Sequence, residues 1–307
     1  MNRAKYLSVL VAVFSLLLWT GHSFAQYNGW NGGTVQHYYQ SGGWDGIEAS
    51  QLIGQRVYSP VGGDLGQISD LLVDRLDGHI VLVILSDVPG FGSEFLAAPF
   101  GALERIGESL FQLNLGDREI PIASAYRDPY VYELIRHRDT VGFSIVPSAI
   151  DSVWADSVHR FYGQKPYWAA ESHRVIMSYR TAEPSLGESL FMGKTSWALM
   201  GAKVRSGDGI AVVRIDDLVI DSRDGRVALL VLDRVPARDG IQVAVPFDEL
   251  SMNGKPFALY AAGEKLAVAP GFNEMMDMHN LKGVENIYRF FGQQPYWVEG
   301  EAQKETR

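Results

Sequence analysis

Two stretches of the chain carry the same order of apolar and polar positions. In 52–89 (LIGQRVYSPVGGDLGQISDLLVDRLDGHIVLVILSDVP) a half-alternating segment from Ile68 to Asp74 leads to Asp77-Gly78 and then to an unbroken apolar run at 80–85. The stretch 199–236 (LMGAKVRSGDGIAVVRIDDLVIDSRDGRVALLVLDRVP) repeats that order, with Asp224-Gly225 before the run 227–232. Short apolar blocks bounded by Gly, Asp and Pro predict consecutive β-strands. An Asp-Gly pair between two of them predicts a type I′ hairpin, in which both central residues take positive φ. The runs at 80–85 and 227–232 lack a polar face, so these strands need cover on both sides. The interior of a small barrel supplies one cover, and a helix or the sister domain supplies the other.

Beyond each strand block the period lengthens to that of a helix. Ser148 with Asp151 forms a capping-box-like start, Ile150, Val153, Trp154, Val158 and Phe161 share one face, and Gly163 and Pro166 end the run. The second block is followed by Val284, Ile287, Tyr288 and Phe291, stopped by Gly292 and Pro295. Each helix runs into an aromatic tail, FYGQKPYW at 161–168 and FFGQQPYW at 290–297.

The strand blocks stand at a constant offset of 147, from Gly54/Gly201 through Asp70/Asp217, Asp74/Asp221 and Asp77/Asp224 to Phe100/Phe247 and Leu103/Leu250. The tails are offset by 129, so the first copy holds about 18 more residues, placed within 127–146. The chain is therefore an internal duplication. The expected organisation is a leader at 1–25, a flexible Gly- and aromatic-rich segment at 26–46, copy one with its helix and tail at 47–168, a linker at 169–196, copy two at 197–297 and a charged tail at 298–307.

The first 25 residues predict export. Arg3 and Lys5 precede an apolar run at 7–19, and Ser23-Phe24-Ala25 offers small residues for cleavage after Ala25. The apolar run is shorter than a bilayer span, so no stable membrane insertion is expected after cleavage. The product would be periplasmic or secreted. Cleavage removes two basic residues and no acid, taking the formal charge from -9 to -11, which disfavours docking on nucleic acid. The absence of cysteine excludes disulfides, thiolate metal sites and Cys nucleophiles.

The motif residues resemble the PRC-barrel family. They are Leu52, Ile53, Gly54, Val57, Ile68, Asp70, Leu71, Asp74, Asp77, Gly78, Pro99, Phe100 and Leu103 in copy one. In copy two they are Leu199, Met200, Gly201, Val204, Ile215, Asp217, Leu218, Asp221, Asp224, Gly225, Pro246, Phe247 and Leu250. The resemblance covers about 75 residues per copy and departs at Val213, where copy one has Gly66. It implies a mainly β fold: two tandem small barrels, each followed by an amphipathic helix and an aromatic tail. In the photosynthetic reaction centre H subunit and in a ribosome maturation factor such barrels serve as docking modules, which implies a protein partner or self-association here.

Candidate chemistry is sparse. No G-x-S-x-G, H-E-x-x-H or His pair at ligand spacing occurs, so the chain is expected to be non-catalytic and to need no cofactor. Gly187 and Gly193-Lys194-Thr195 miss P-loop spacing by one residue and follow no apolar strand, so this segment reads as linker. The repeated aspartates lack the crowding of a calcium loop and read as turn and strand-edge residues. Met275, Met276, Met278 and His279 form a soft-ligand cluster suited to Cu(I), with core packing as the commoner role for such methionines, and the alternative to docking is a periplasmic metal- or small-molecule-binding protein that uses this cluster or an inter-barrel cleft. Tyr167, Trp168, Tyr296 and Trp297 are the interaction candidates, and the competing reading packs them back on their own barrels as cover.

Overall fold

A computed structural model describes residues 44–90, 95–107, 110–114, 152–169, 193–252, 256–272 and 280–297. All of them fall in one compact unit. In chain order, β1 (Gly46–Glu48) and α1 (Ala49–Leu52) lead into β2 (Arg56–Tyr58), β3 (Asp64–Asp74), β4 (Ile80–Ser86), β5 (Leu96–Ala98), β6 (Leu103–Gly107) and β7 (Leu110–Leu113). Then come α2 (Ser152–Phe161), β8 (Gly193–Thr195) and α3 (Ser196–Leu199). The second copy follows with β9 (Lys203–Arg205), β10 (Val212–Asp221), β11 (Arg226–Asp233), β12 (Val243–Pro246), β13 (Leu250–Ser251), β14 (Phe257–Leu259), α4 (Gly263–Ala267) and α5 (Leu281–Phe291).

The fold is mainly β, with two barrel-like sheets of the same topology. One runs β5-β4-β3-β2-β7-β6 and the other β12-β11-β10-β9-β14-β13. In both, the first strand of the copy meets its neighbours differently on its two sides, antiparallel to β3 or β10 and parallel to β7 or β14. The apolar runs become β4 and β11, buried along nearly their whole length, as the missing polar face requires.

Each sheet gains its seventh strand from the segment that precedes the other copy. β1 pairs antiparallel with β10 of copy two, and β8 pairs antiparallel with β3 of copy one. Two sequence expectations are corrected here. Gly193-Lys194-Thr195 is a paired strand rather than linker, and residues 44–46 of the segment expected to be flexible are held in place, with Trp44 buried and the Asp45 carbonyl accepting from the Ser222 amide. Both segments gain backbone partners from an open strand flank, a contribution that local composition does not reveal.

The helices keep their expected faces. In α5, Val284, Ile287, Tyr288 and Phe291 are buried, and the Tyr288 hydroxyl donates to the Ala228 carbonyl in β11. Asn280 caps its start and Gly292, at φ 75°, closes it. In α2, Val158 is buried as expected and Phe161 is partly so, while Ser148 and Asp151 lie outside the described residues. Among the described residues no helix is long and apolar enough to cross a membrane.

Candidate functional site: the joint between the copies

The two Asp-Gly hairpins meet each other. The Ile80 amide donates to the Gly225 carbonyl and the Val227 amide to the Gly78 carbonyl, so the turns are stitched by reciprocal backbone bonds. The turns are not type I′. Gly78 and Gly225 take φ of 80° and 70°, but Asp77 and Asp224 stay at negative φ. The loops are wider, closed by Gly78 N–H to Asp74 O and by Gly225 N–H to Asp221 O. The aspartates act instead through their carboxylates, Asp77 accepting from the His79 amide and Asp224 from the Arg226 amide.

Glycine is required at this contact twice over. A Cβ on Gly78 would stand 2.9 Å from the Phe247 ring, and one on Gly225 would stand 2.6 Å from the Phe100 ring. The Pro-Phe motif of each copy thus packs on the hairpin of the other.

The repeated aspartates divide their work. Asp70, buried in β3, accepts from the Ser196 hydroxyl at 2.5 Å and the Trp197 amide at 3.3 Å, both at the start of α3. Asp217 in β10 accepts from the Ser50 amide at 3.1 Å at the start of α1. Each therefore holds the helix that leads into the opposite copy. Sequence reading missed this role, because the partner lies 126 or 167 residues away. Asp74 and Asp221 accept from the tail tyrosines, Tyr167 and Tyr296, each at 2.8 Å.

The aromatic tails are thereby placed on their own copies. His79 stacks on Tyr167 at 4.0 Å between centroids while holding Asp77 at 2.8 Å. Arg226 lies over Tyr296 at 4.1 Å. Trp168 meets the edge of His159, and Trp297 packs against Trp44 and Tyr288. All four rings remain partly exposed against the core.

The electrostatics of the two hairpins differ. Burial, reinforced by Asp77, pushes the Asp74 carboxyl up to about 7. Its partner in copy two, Asp221, is gripped by Arg223 through both Nε and Nη2, and the hydrogen bond to Asp221 in turn raises the Arg223 pKa. In copy one the basic residue comes one position earlier, as Arg75, and burial lowers its pKa.

Beside the joint is a cleft of about 360 Å³, lined by Arg75 and Leu76 from copy one and by Phe247, Asp248, Leu250, Ser251, Met252 and Tyr260 from copy two. No group of three or more His, Asp or Glu side chains among the described residues could hold a metal ion. Met275, Met276, Met278 and His279 lie outside the described residues. Residues 45–123 match the PRC-barrel domain family, so the first copy is a PRC-barrel domain. No curated protein matches the chain.

Proposed function

We propose that this chain is an exported, non-catalytic tandem barrel protein that docks a protein partner or a second copy of itself. The observation that carries this reading is a group of exposed apolar side chains on copy two. Ile210 is 84% exposed, Val212 47% and Val268 70%. Ile210 sits on the 206–211 loop, which bonds to the 260–263 segment through Gly207 N–H to Ala261 O, while Val212 opens β10 directly after that loop and Val268 follows α4, which starts at Gly263. Single exposed apolar residues are ordinary, whereas several on neighbouring segments favour a contact surface. Export rests on the leader ahead of Ala25, and N-terminal sequencing of the secreted protein tests it.

The test of docking is affinity capture of the mature protein from the cell envelope, with analytical ultracentrifugation alongside, comparing the wild type with an Ile210→Ser/Val212→Thr variant. A stoichiometric partner or a dimer that the variant loses at unchanged thermal stability supports docking through this surface. Bait alone, sedimenting as a monomer, overturns it.

A further inference from the structure

The two hairpins differ in what becomes of their arginine. In copy two, Arg223 is bound to both oxygens of Asp221 and lies 5.7 Å from the centroid of the Trp44 ring. In copy one, the oxygens of Asp74 are taken by the Leu76 amide and the Tyr167 hydroxyl, and the following residue is Arg75. Arg75 lines the cleft, and its Nε is buried without an acceptor. The nearby Asp74 carboxylate attracts the half-buried guanidinium but makes no hydrogen bond to its Nε. Removing such a group from water without a partner is costly, and the cost falls when an anion joins it.

The rest of the cleft defines the anion. Phe247, Leu250 and Met252 are buried core residues that show only their edges at the cleft floor, and Tyr260 stands at the rim, 67% exposed. Asp248 lines the same cleft and repels a second negative charge. A volume of about 360 Å³ lies in the range of small-molecule sites.

We propose that this inter-copy cleft binds a small organic monoanion, a carboxylate with a short apolar or aryl group, with Arg75 holding the carboxylate and Phe247, Leu250 and Met252 the apolar part. The site stands independently of the docking surface, which lies on other residues.

The experiment is an NMR titration of the full mature chain with benzoate, hexanoate and inorganic phosphate, following the Arg75 Nε–Hε signal and the Met252 methyl. Benzoate or hexanoate shifts both signals saturably, with a Kd of about 1 mM or tighter. Arg75→Gln weakens this binding about tenfold or more, and phosphate binds at least about tenfold more weakly than the carboxylates. The Ile210→Ser/Val212→Thr variant binds as the wild type does. No saturable shift in the wild type overturns the proposal without recourse to any variant. So does binding unchanged in a folded Arg75→Gln protein, or phosphate binding as tight as benzoate.

Discussion

The two copies place one residue differently in the same hairpin, and the difference shows how a duplicated fold absorbs sequence drift. In copy one the β2–β3 connection closes early, with the Ser59 amide on the Gly63 carbonyl, and the extra residue enters the ladder as a bulge between Arg56↔Gln67 and Tyr58↔Asp64. In copy two the turn itself is a residue longer, with the Ser206 amide on the Ala211 carbonyl, and the β9–β10 ladder runs without a shift. Gly66 serves the bulge at φ 96°, while Val213 sits in regular strand opposite Val204. The mismatch of Val213 with Gly66 between the copies is thus a relocation of a residue from ladder to turn.

The largest expected effect follows from forcing one solution into the other. A Cβ on Gly66 would lie 2.1 Å from the Ser86 carbonyl oxygen, so Gly66→Val is expected to cost more than about 3 kcal/mol in denaturant unfolding. Deleting Gly66 while adding one residue to the 59–63 turn should recover most of that loss. Asp64 then moves to the position of exposed Val212 and Leu65 to that of buried Val213, so both keep an environment they suit. A deletion-insertion variant no more stable than Gly66→Val would break the comparison.

A smaller effect concerns the two cross-copy caps. Asp70 receives the Ser196 hydroxyl and the Trp197 amide, and Asp217 the Ser50 hydroxyl and amide. Asp70→Ala and Asp217→Ala are each expected to cost about 2 kcal/mol by the same unfolding measurement. A cost at only one of the two would show that the caps are not equivalent.

These caps also mark where sequence reading stops. The duplication, the mainly β class, the buried runs at β4 and β11 and the apolar face of α5 are local patterns, and each follows from periodicity and spacing. The reciprocal strands β1 and β8 are three residues each and carry no apolar run, so their pairing is decided by the open flank they meet. The Asp-Gly turns illustrate a different limit. The dipeptide marks the turn correctly, but the loop width is set by the partner hairpin, whose backbone takes the bonds of Gly78 and Gly225. The aspartates of the motif looked interchangeable in sequence, yet Asp70 reaches across the joint, Asp74 accepts from a tail tyrosine and Asp77 shapes its own loop.

An effect of similar size is a pH dependence, which arises at Asp74 in one hairpin and at Asp224, raised to about 6 by burial and Asp221, in the other. Asp74 is buried beside Asp77, with His79 and Arg75 as the nearby cationic groups and the Tyr167 hydroxyl as a donor, and its carboxyl is raised to about 7 from an ordinary value near 3.8. Between those values the folded chain keeps a proton that the unfolded chain has released. Its contribution to stability is therefore full at low pH, declines as pH rises from about 4 to about 7, and is flat above. Asp74→Asn should remove that decline and raise stability at pH 8 by on the order of 2 kcal/mol, since Asn carries no charge to desolvate. Asp221→Asn should do the opposite at pH 8 and lower stability, because it takes away the carboxylate that Arg223 holds with two bonds. Urea unfolding of both variants at pH 5 and pH 8 distinguishes them. If both change stability in the same direction, the hairpins are electrostatically equivalent and the different placing of Arg75 and Arg223 has no counterpart in the energetics of the joint.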